Sequence, residues 1–450
     1  MNVSSEKENE SDFQPEAESF RLSWRDWRRL ILSAAAVGLT AGLVVSLFGF
    51  LLDQIDALRE TLVLWARARA SGALLIPILF TVLSAGISVL LVKKIAPHAS
   101  GGGVPHLQMA LRDGRPLSWE KLLPVKFTAC LFALGSGLLL GRVGPAVQLG
   151  AAGGEALAQR LKLSARERRI LLTAGAGAGL AAIYNVPAAG LAFSLEVLRG
   201  GFSLPALVSG SVAAGLADLT TRMLRGRDAS FAMPRYAPVP AVSLPWFALL
   251  GIAAGLFGFL FRSGLLGSLK TVLRFSGKWL GLWVVAISAL VGAAGWLNLD
   301  WAGGGHRLTE TALSGQLAFS VIPLLLSVRL VLTILSLSSG APGGIVAPLL
   351  ALGALAGLLF GQTLVRFAPI TDLQPAVFAV AGMAALFAGV VRAPITAVLL
   401  AVEMTGDFYL ILPIAIASLC AELTAYRMKN QPIYSELAQL LPVPNQAPHS

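Results

Sequence analysis

The sequence predicts an all-helical integral membrane protein, built as two inverted-topology repeats whose helices are broken or re-entrant. Three observations carry this. First, 56% of the 450 residues are apolar and only 13% are charged, with a mean hydropathy of +0.74; a soluble domain carries about 25% charged residues. Second, Gly141-Arg142-Val143-Gly144-Pro145 returns as Gly344-Ile345-Val346-Ala347-Pro348, shifted by 203 residues, and Leu149-Gly150 returns at the same shift as Leu352-Gly353. Third, Ala174-Gly175, Ala181-Ala182, Asn185-Val186-Pro187 and Glu196 return as Ala381-Gly382, Ala388-Gly389, Arg392-Ala393-Pro394 and Glu403, shifted by 207. Ordered echoes of this kind mark a two-repeat chain. Neither half offers enough clean apolar runs of about 20 residues, and Gly and Pro interrupt the runs at corresponding places. Inverted repeats with discontinuous helices leave that signature, and their breaks point at a central site.

Taken in order, residues 1–29 read as a cytoplasmic tail and an interfacial helix. The tail is acidic through Glu6, Glu8, Glu10, Asp12, Glu16 and Glu18, with no basic stretch ahead of an apolar run, so it is not a signal peptide. Arg21, Arg25, Arg28 and Arg29 with Trp24 and Trp27 fit the cytoplasmic membrane surface. The first transmembrane repeat is expected at 30–219, with apolar segments at 30–52, 72–92, 122–140, 145–156, 170–198 and 204–219. Between them, Gly101-Gly102-Gly103-Val104-Pro105 is a flexible turn into a helix start, flanked by His98 and His106, which read as surface or interface residues. Lys126 interrupts a span, which is costly unless it snorkels or faces an aqueous path. The cluster Arg160, Lys162, Arg166, Arg168 and Arg169 marks the cytoplasmic side. A polar connection is expected at 220–241, and the second repeat at 242–427. Its apolar segments are 242–262, 278–296, 320–338, 346–363, 375–391, 394–404 and 408–426, with 299–313 as a surface turn. Residues 428–450 read as a short helix opened by Pro432 and a polar tail.

In each 203-shifted motif, Pro suits the first turn of a helix, and the leading Gly allows close backbone approach or positive φ. Each motif is therefore a loop entering a helix N-terminus in an apolar setting. Free N–H groups and the positive end of the helix dipole lie there. Two such ends facing one point form an anion site without a buried cation; the same residues also serve as tight helix starts needed only for packing. The formal net charge of +11 is explained by basic cytoplasmic loops rather than by nucleic acid. Cys130 and Cys420 lie in apolar runs and argue against a disulfide scaffold or thiolate metal centre. The four histidines offer no zinc spacing.

The chain resembles the CLC family of chloride channels and proton–chloride exchangers over about residues 30–438. The carrying motifs, in family order, are Gly101-Gly102-Gly103-Val104-Pro105, Gly141-Arg142-Val143-Gly144-Pro145, the stretch from Asn185 to Glu196, Gly343-Gly344-Ile345-Val346-Ala347-Pro348, Glu403-Met404-Thr405 and Pro432-Ile433-Tyr434. The resemblance implies a homodimer in a bacterial inner membrane, with one pore per subunit. It implies chloride held by backbone donors at Arg142, Val143, Gly144, Ile345, Val346 and Ala347 and by the Tyr434 hydroxyl. The family's central Ser falls on Gly102, so that hydroxyl is missing. The family's gating Glu falls on Val143, and the inner acid of its exchangers on Val197. Val neither titrates nor accepts a hydrogen bond.

The first expectation is therefore passive transport of chloride and similar small anions, with no enzyme activity and no cofactor. Proton-coupled exchange through another acid, with Glu196 as first suspect, is the alternative. An organic-anion carrier is a third reading, less suited to a site of backbone donors. Glu196 and Glu403 are possible buried acids, read first as caps or partners near helix ends.

Overall fold

A computed structural model describes residues 23–440 apart from 70, 115, 199–202, 228, 276–277 and 368–372. The acidic tail and the tail at 441–450 lie outside the described residues. The first eight helices are α1 (Trp24–Arg69), α2 (Leu75–Ile95), α3 (Val104–Asp113), α4 (Trp119–Gly135), α5 (Val143–Arg160), α6 (Ala165–Tyr184), α7 (Pro187–Glu196) and α8 (Leu204–Arg225). The next eight repeat the series: α9 (Leu244–Val272), α10 (Lys278–Leu297), α11 (His306–Leu313), α12 (Ile322–Ser338), α13 (Val346–Phe367), α14 (Pro375–Val391), α15 (Pro394–Thr405) and α16 (Ile411–Arg427). A final short helix, α17 (Ile433–Leu440), follows. Seven helical segments among the described residues are long and apolar enough to cross a membrane, while α12, α14 and α15 are apolar but short.

Two boundaries differ from the sequence reading. The expected interfacial helix and first span are one 46-residue helix, α1, because no Gly-Pro break separates them. The expected span at 122–140 ends at Gly135, where Gly137 takes a φ of 94° and turns the chain out of the helix.

The two halves pack alike. At the core of each stands a helix buried along nearly all its length, α6 over 170–184 and α14 over 376–391. Small residues let backbones touch there: Gly150 lies against Gly175 and Gly353 against Gly382, and on the outer pair Gly38 lies against Ala213 and Gly251 against Ala417. Both core helices stop at a left-handed residue, Asn185 with φ 57° and Arg392 with φ 64°. A proline two residues later opens the next short helix.

Candidate functional site

The loops before α5 and α13 meet. The Gly141 N–H donates to the Gly344 carbonyl and the Gly344 N–H to the Gly141 carbonyl, both at 2.7 Å. These are equivalent residues of the two motifs, so the contact is symmetric and brings both helix starts to one place. The packing explains the glycines. A Cβ on Gly141 would stand 2.9 Å from the Ala347 nitrogen, and one on Gly344 2.9 Å from the Gly144 nitrogen. Close approach, not positive φ, is what these two positions require.

A third helix start joins them. The Gly343 N–H donates to the Gly101 carbonyl at 3.0 Å, and Gly102 lies against Gly144 and Gly344. Gly101 and Gly103 adopt φ of 58° and 86°, and α3 begins directly after them. Val143, Ile345 and Val346 are buried at the junction, while Arg142, Gly102 and Ala347 are partly open. Helix N-termini with unpaired N–H groups attract negative charge through those donors and the dipole.

Lys126 departs from the snorkelling reading: its side chain is buried, and Nζ donates to the carbonyls of Ala99 (2.9 Å) and Gly101 (2.7 Å), tying α4 to the 99–101 turn. Of the flanking histidines, His98 is exposed and His106 is half-buried, their rings 5.9 Å apart.

Tyr434 is buried on α17, which packs against α3 and α14. Among the described residues no protein group hydrogen-bonds its hydroxyl, although buried tyrosine hydroxyls ordinarily find a partner. Two arginines of the second repeat hold α17 and the turn before it. Arg262 of α9 pairs with Glu436 and donates to the Asn430 side chain (3.1 Å), and Arg392 donates to the Asn430 carbonyl (2.7 Å). Sequence spacing gave no sign of these supports, because the partners are more than 30 residues apart.

Glu196 and Glu403 stand at the ends of α7 and α15, and each caps the other helix. The Glu196 carboxylate accepts from the N–H groups of Ile395 (3.2 Å) and Thr396 (2.8 Å) and from the Thr396 hydroxyl (2.7 Å). Glu403 accepts from Ala188 (3.0 Å) and Ala189 (2.8 Å). These are again equivalent positions, so a twofold axis runs between α7 and α15, and the two helices are antiparallel.

The family model described as voltage gated chloride channel matches residues 84–426. The chain belongs to this family, the CLC proteins. A CLC relative from Vibrio parahaemolyticus, named H(+)/Cl(-) exchange transporter ClcA, is 39% identical over 418 residues, covering 91% of this chain and 89% of its own. One of the same name from Salmonella paratyphi B is 36% identical over 437 residues, covering 93% and 92%. Among solved structures, a slow cyanobacterial Cl-/H+ antiporter superposes with a TM-score of 0.88 at 32% identity, covering 91% of this chain and 97% of that one. A CLC-type fluoride/proton antiporter superposes at 0.76 with 25% identity, covering 90% and 97%. The CLC fold of two inverted, membrane-embedded repeats is thus the fold of this chain.

Proposed function

We propose that this CLC protein transports chloride across the membrane, with the anion held where α5 and α13 begin. The observation that carries the reading is the reciprocal hydrogen bonding of Gly141 and Gly344, which aims two helix N-termini at one point. The donors are the backbone N–H groups of Arg142, Val143, Gly144, Ile345, Val346 and Ala347, with the Tyr434 hydroxyl as the side-chain donor. Gly102 contributes backbone alone. Chloride is cargo in this reading, and no cofactor takes part. The working unit is a pair of chains in a bacterial inner membrane, each with transmembrane repeats at 30–219 and 242–427.

Two finer readings divide on the proton. The names of the relatives and of the solved antiporters support proton-coupled exchange, and on that ground it ranks ahead of the passive pathway expected first from the sequence. Passive transport keeps one specific observation in its favour: Val143 is buried at the start of α5 and has no proton to exchange. Under exchange, another acid carries the proton; Glu196, the first suspect, would leave its backbone partners on α15 to do so.

Flux in proteoliposomes separates the two. Under exchange, a chloride gradient drives protons uphill, and Glu196→Gln or Glu403→Gln abolishes the proton movement. Under passive transport, chloride flows at a rate insensitive to pH between about 5 and 8, a window spanning the pKa of a desolvated Glu, and no protons move. Absence of any chloride flux above empty liposomes would refute both.

A further inference from the structure

The helices of the second repeat leave a groove of about 350 Å³ between α9, α12, α13 and α14. Packing explains it. Gly353 and Gly357 let the backbone of α13 close onto α14, against Gly382 and the Phe378 carbonyl. That contact draws α13 away from α9, which it touches only slightly. Ala253 and Ala254 of α9 and Ala356 of α13 line the gap, with methyl groups too short to fill it. Among the described residues of the lining, only Thr363 has a polar side chain, and its hydroxyl is spent on the Leu359 carbonyl at 2.7 Å.

The mouth of the groove faces lipid. Ala253 is exposed there and Phe257 and Leu326 are half-buried, while Leu249, Leu256 and Leu324 beside them are exposed. Both α9 and α13 are long and apolar enough to cross the membrane, so the groove opens into hydrocarbon. An apolar cavity keeps no water, and left empty it forfeits the dispersion contacts of its lining. A dry apolar cavity of about 150 Å³ already takes benzene, so this groove has room for a stretch of acyl chain. Lipid tails are as apolar as leucine, so close packing is what holds a tail there.

A charge stands at the end of the groove. Arg366 follows Thr363 by one turn, on the same face of α13. It is exposed, and its guanidinium rests over the Phe319 ring, 5.4 Å from the centroid. Among the described residues no carboxylate lies within ion-pair distance of it. The counterpart of α13 is α5, which ends at the cytoplasmic Arg160, so the inverting axis sends the end of α13 to the outer surface. A long cationic side chain at such a helix end reaches the headgroup level.

We propose that a phospholipid of the outer leaflet binds here, with one acyl chain in the groove and its phosphate at Arg366. The site stands apart from the junction of α5 and α13 and does not rest on the chloride-transport reading.

Native mass spectrometry of the full chain tests this, on protein released by mild detergent from vesicles of equal phosphatidylglycerol and phosphatidylcholine. At least one phospholipid per chain should survive release, with phosphatidylglycerol favoured about fivefold, the worth of one surface cation to an anionic lipid. Ala253→Phe fills the mouth from its lipid side, where no packed contact is lost, and should remove one lipid per chain. Leu326→Trp, which narrows the groove from α12, is the second such variant. Arg366→Gln should keep the lipid but hold both headgroups equally. An unaltered chain that keeps no lipid, or detergent alone, overturns the proposal. A lipid kept equally by the unaltered chain and by whichever groove variant folds is bound elsewhere, and overturns it too. An unchanged headgroup preference in Arg366→Gln overturns the phosphate contact.

Discussion

One added methyl group separates two neighbouring glycines. A Cβ on Gly144 is driven into the Gly102 carbonyl, whereas a Cβ on Gly102 meets only ordinary contacts, 3.4 Å from the Gly344 Cα and 3.5 Å from the Gly343 carbonyl oxygen. Gly144→Ala should therefore pry the first helix start from the α3 turn and abolish chloride binding in titration calorimetry. Gly102→Ser should fold normally and add a hydroxyl donor. One neutral hydrogen bond contributes about 0.5–1.5 kcal/mol, so chloride should bind roughly threefold to tenfold more tightly; equal affinity would show that position 102 does not face the anion. Val143 gives the second residue-scale prediction. Val143→Glu sets a carboxylate at the start of α5, where it competes with the anion for the same N–H groups. Liposome flux should fall at neutral pH and recover on acidification, because the neutral acid no longer competes. Flux unchanged by the substitution at every pH would place the anion route away from α5.

Among the helices, α7 and α15 are short, and each begins at a proline with its next two N–H groups held by the other's terminal glutamate. The arrangement is a pair of reciprocal caps across the twofold axis. Removing a cap costs about 0.5–2 kcal/mol. Glu403→Ala should lower stability by that amount in urea unfolding in detergent. Glu403→Gln should lose only the charge–dipole part, about 0.3–1 kcal/mol, since its amide oxygen still accepts. If Glu403→Gln instead keeps full stability while proton movement in liposomes disappears, the residue carries protons and capping is secondary.

For the whole molecule, the basic start of α1 and the cluster at 160–169 share one face, and the turn carrying Asp300 belongs to the other. Cysteines placed at Arg166 and at Asp300 should react with a membrane-impermeant maleimide from opposite sides in oriented vesicles, Arg166→Cys from the cytoplasmic side. Labelling of both from one side would refute the placement of these turns on opposite faces. The twofold axis turns each element of the first half over to generate its counterpart. It carries Gly141 onto Gly344 and Glu196 onto Glu403.

Composition and two ordered echoes in the sequence were enough to determine a membrane-embedded chain, its division into repeats and the two helix starts around Val143 and Val346. Those features are local or periodic, so they are written in residue type and spacing. Tertiary structure alone decided the rest. Only the fold supplies Lys126 with two carbonyls from the 99–101 turn in place of a snorkelling path to the surface. Nothing in the spacing set Glu196 and Glu403 against each other's helix starts; antiparallel packing did. Asp53, Arg262 and Glu436 carried no signal, since their partners lie 89 to 174 residues away and only the fold closes those distances. Burial decides whether a charge in an apolar run is a cost, a clamp or a ligand, and burial belongs to the folded chain, not to its spacing.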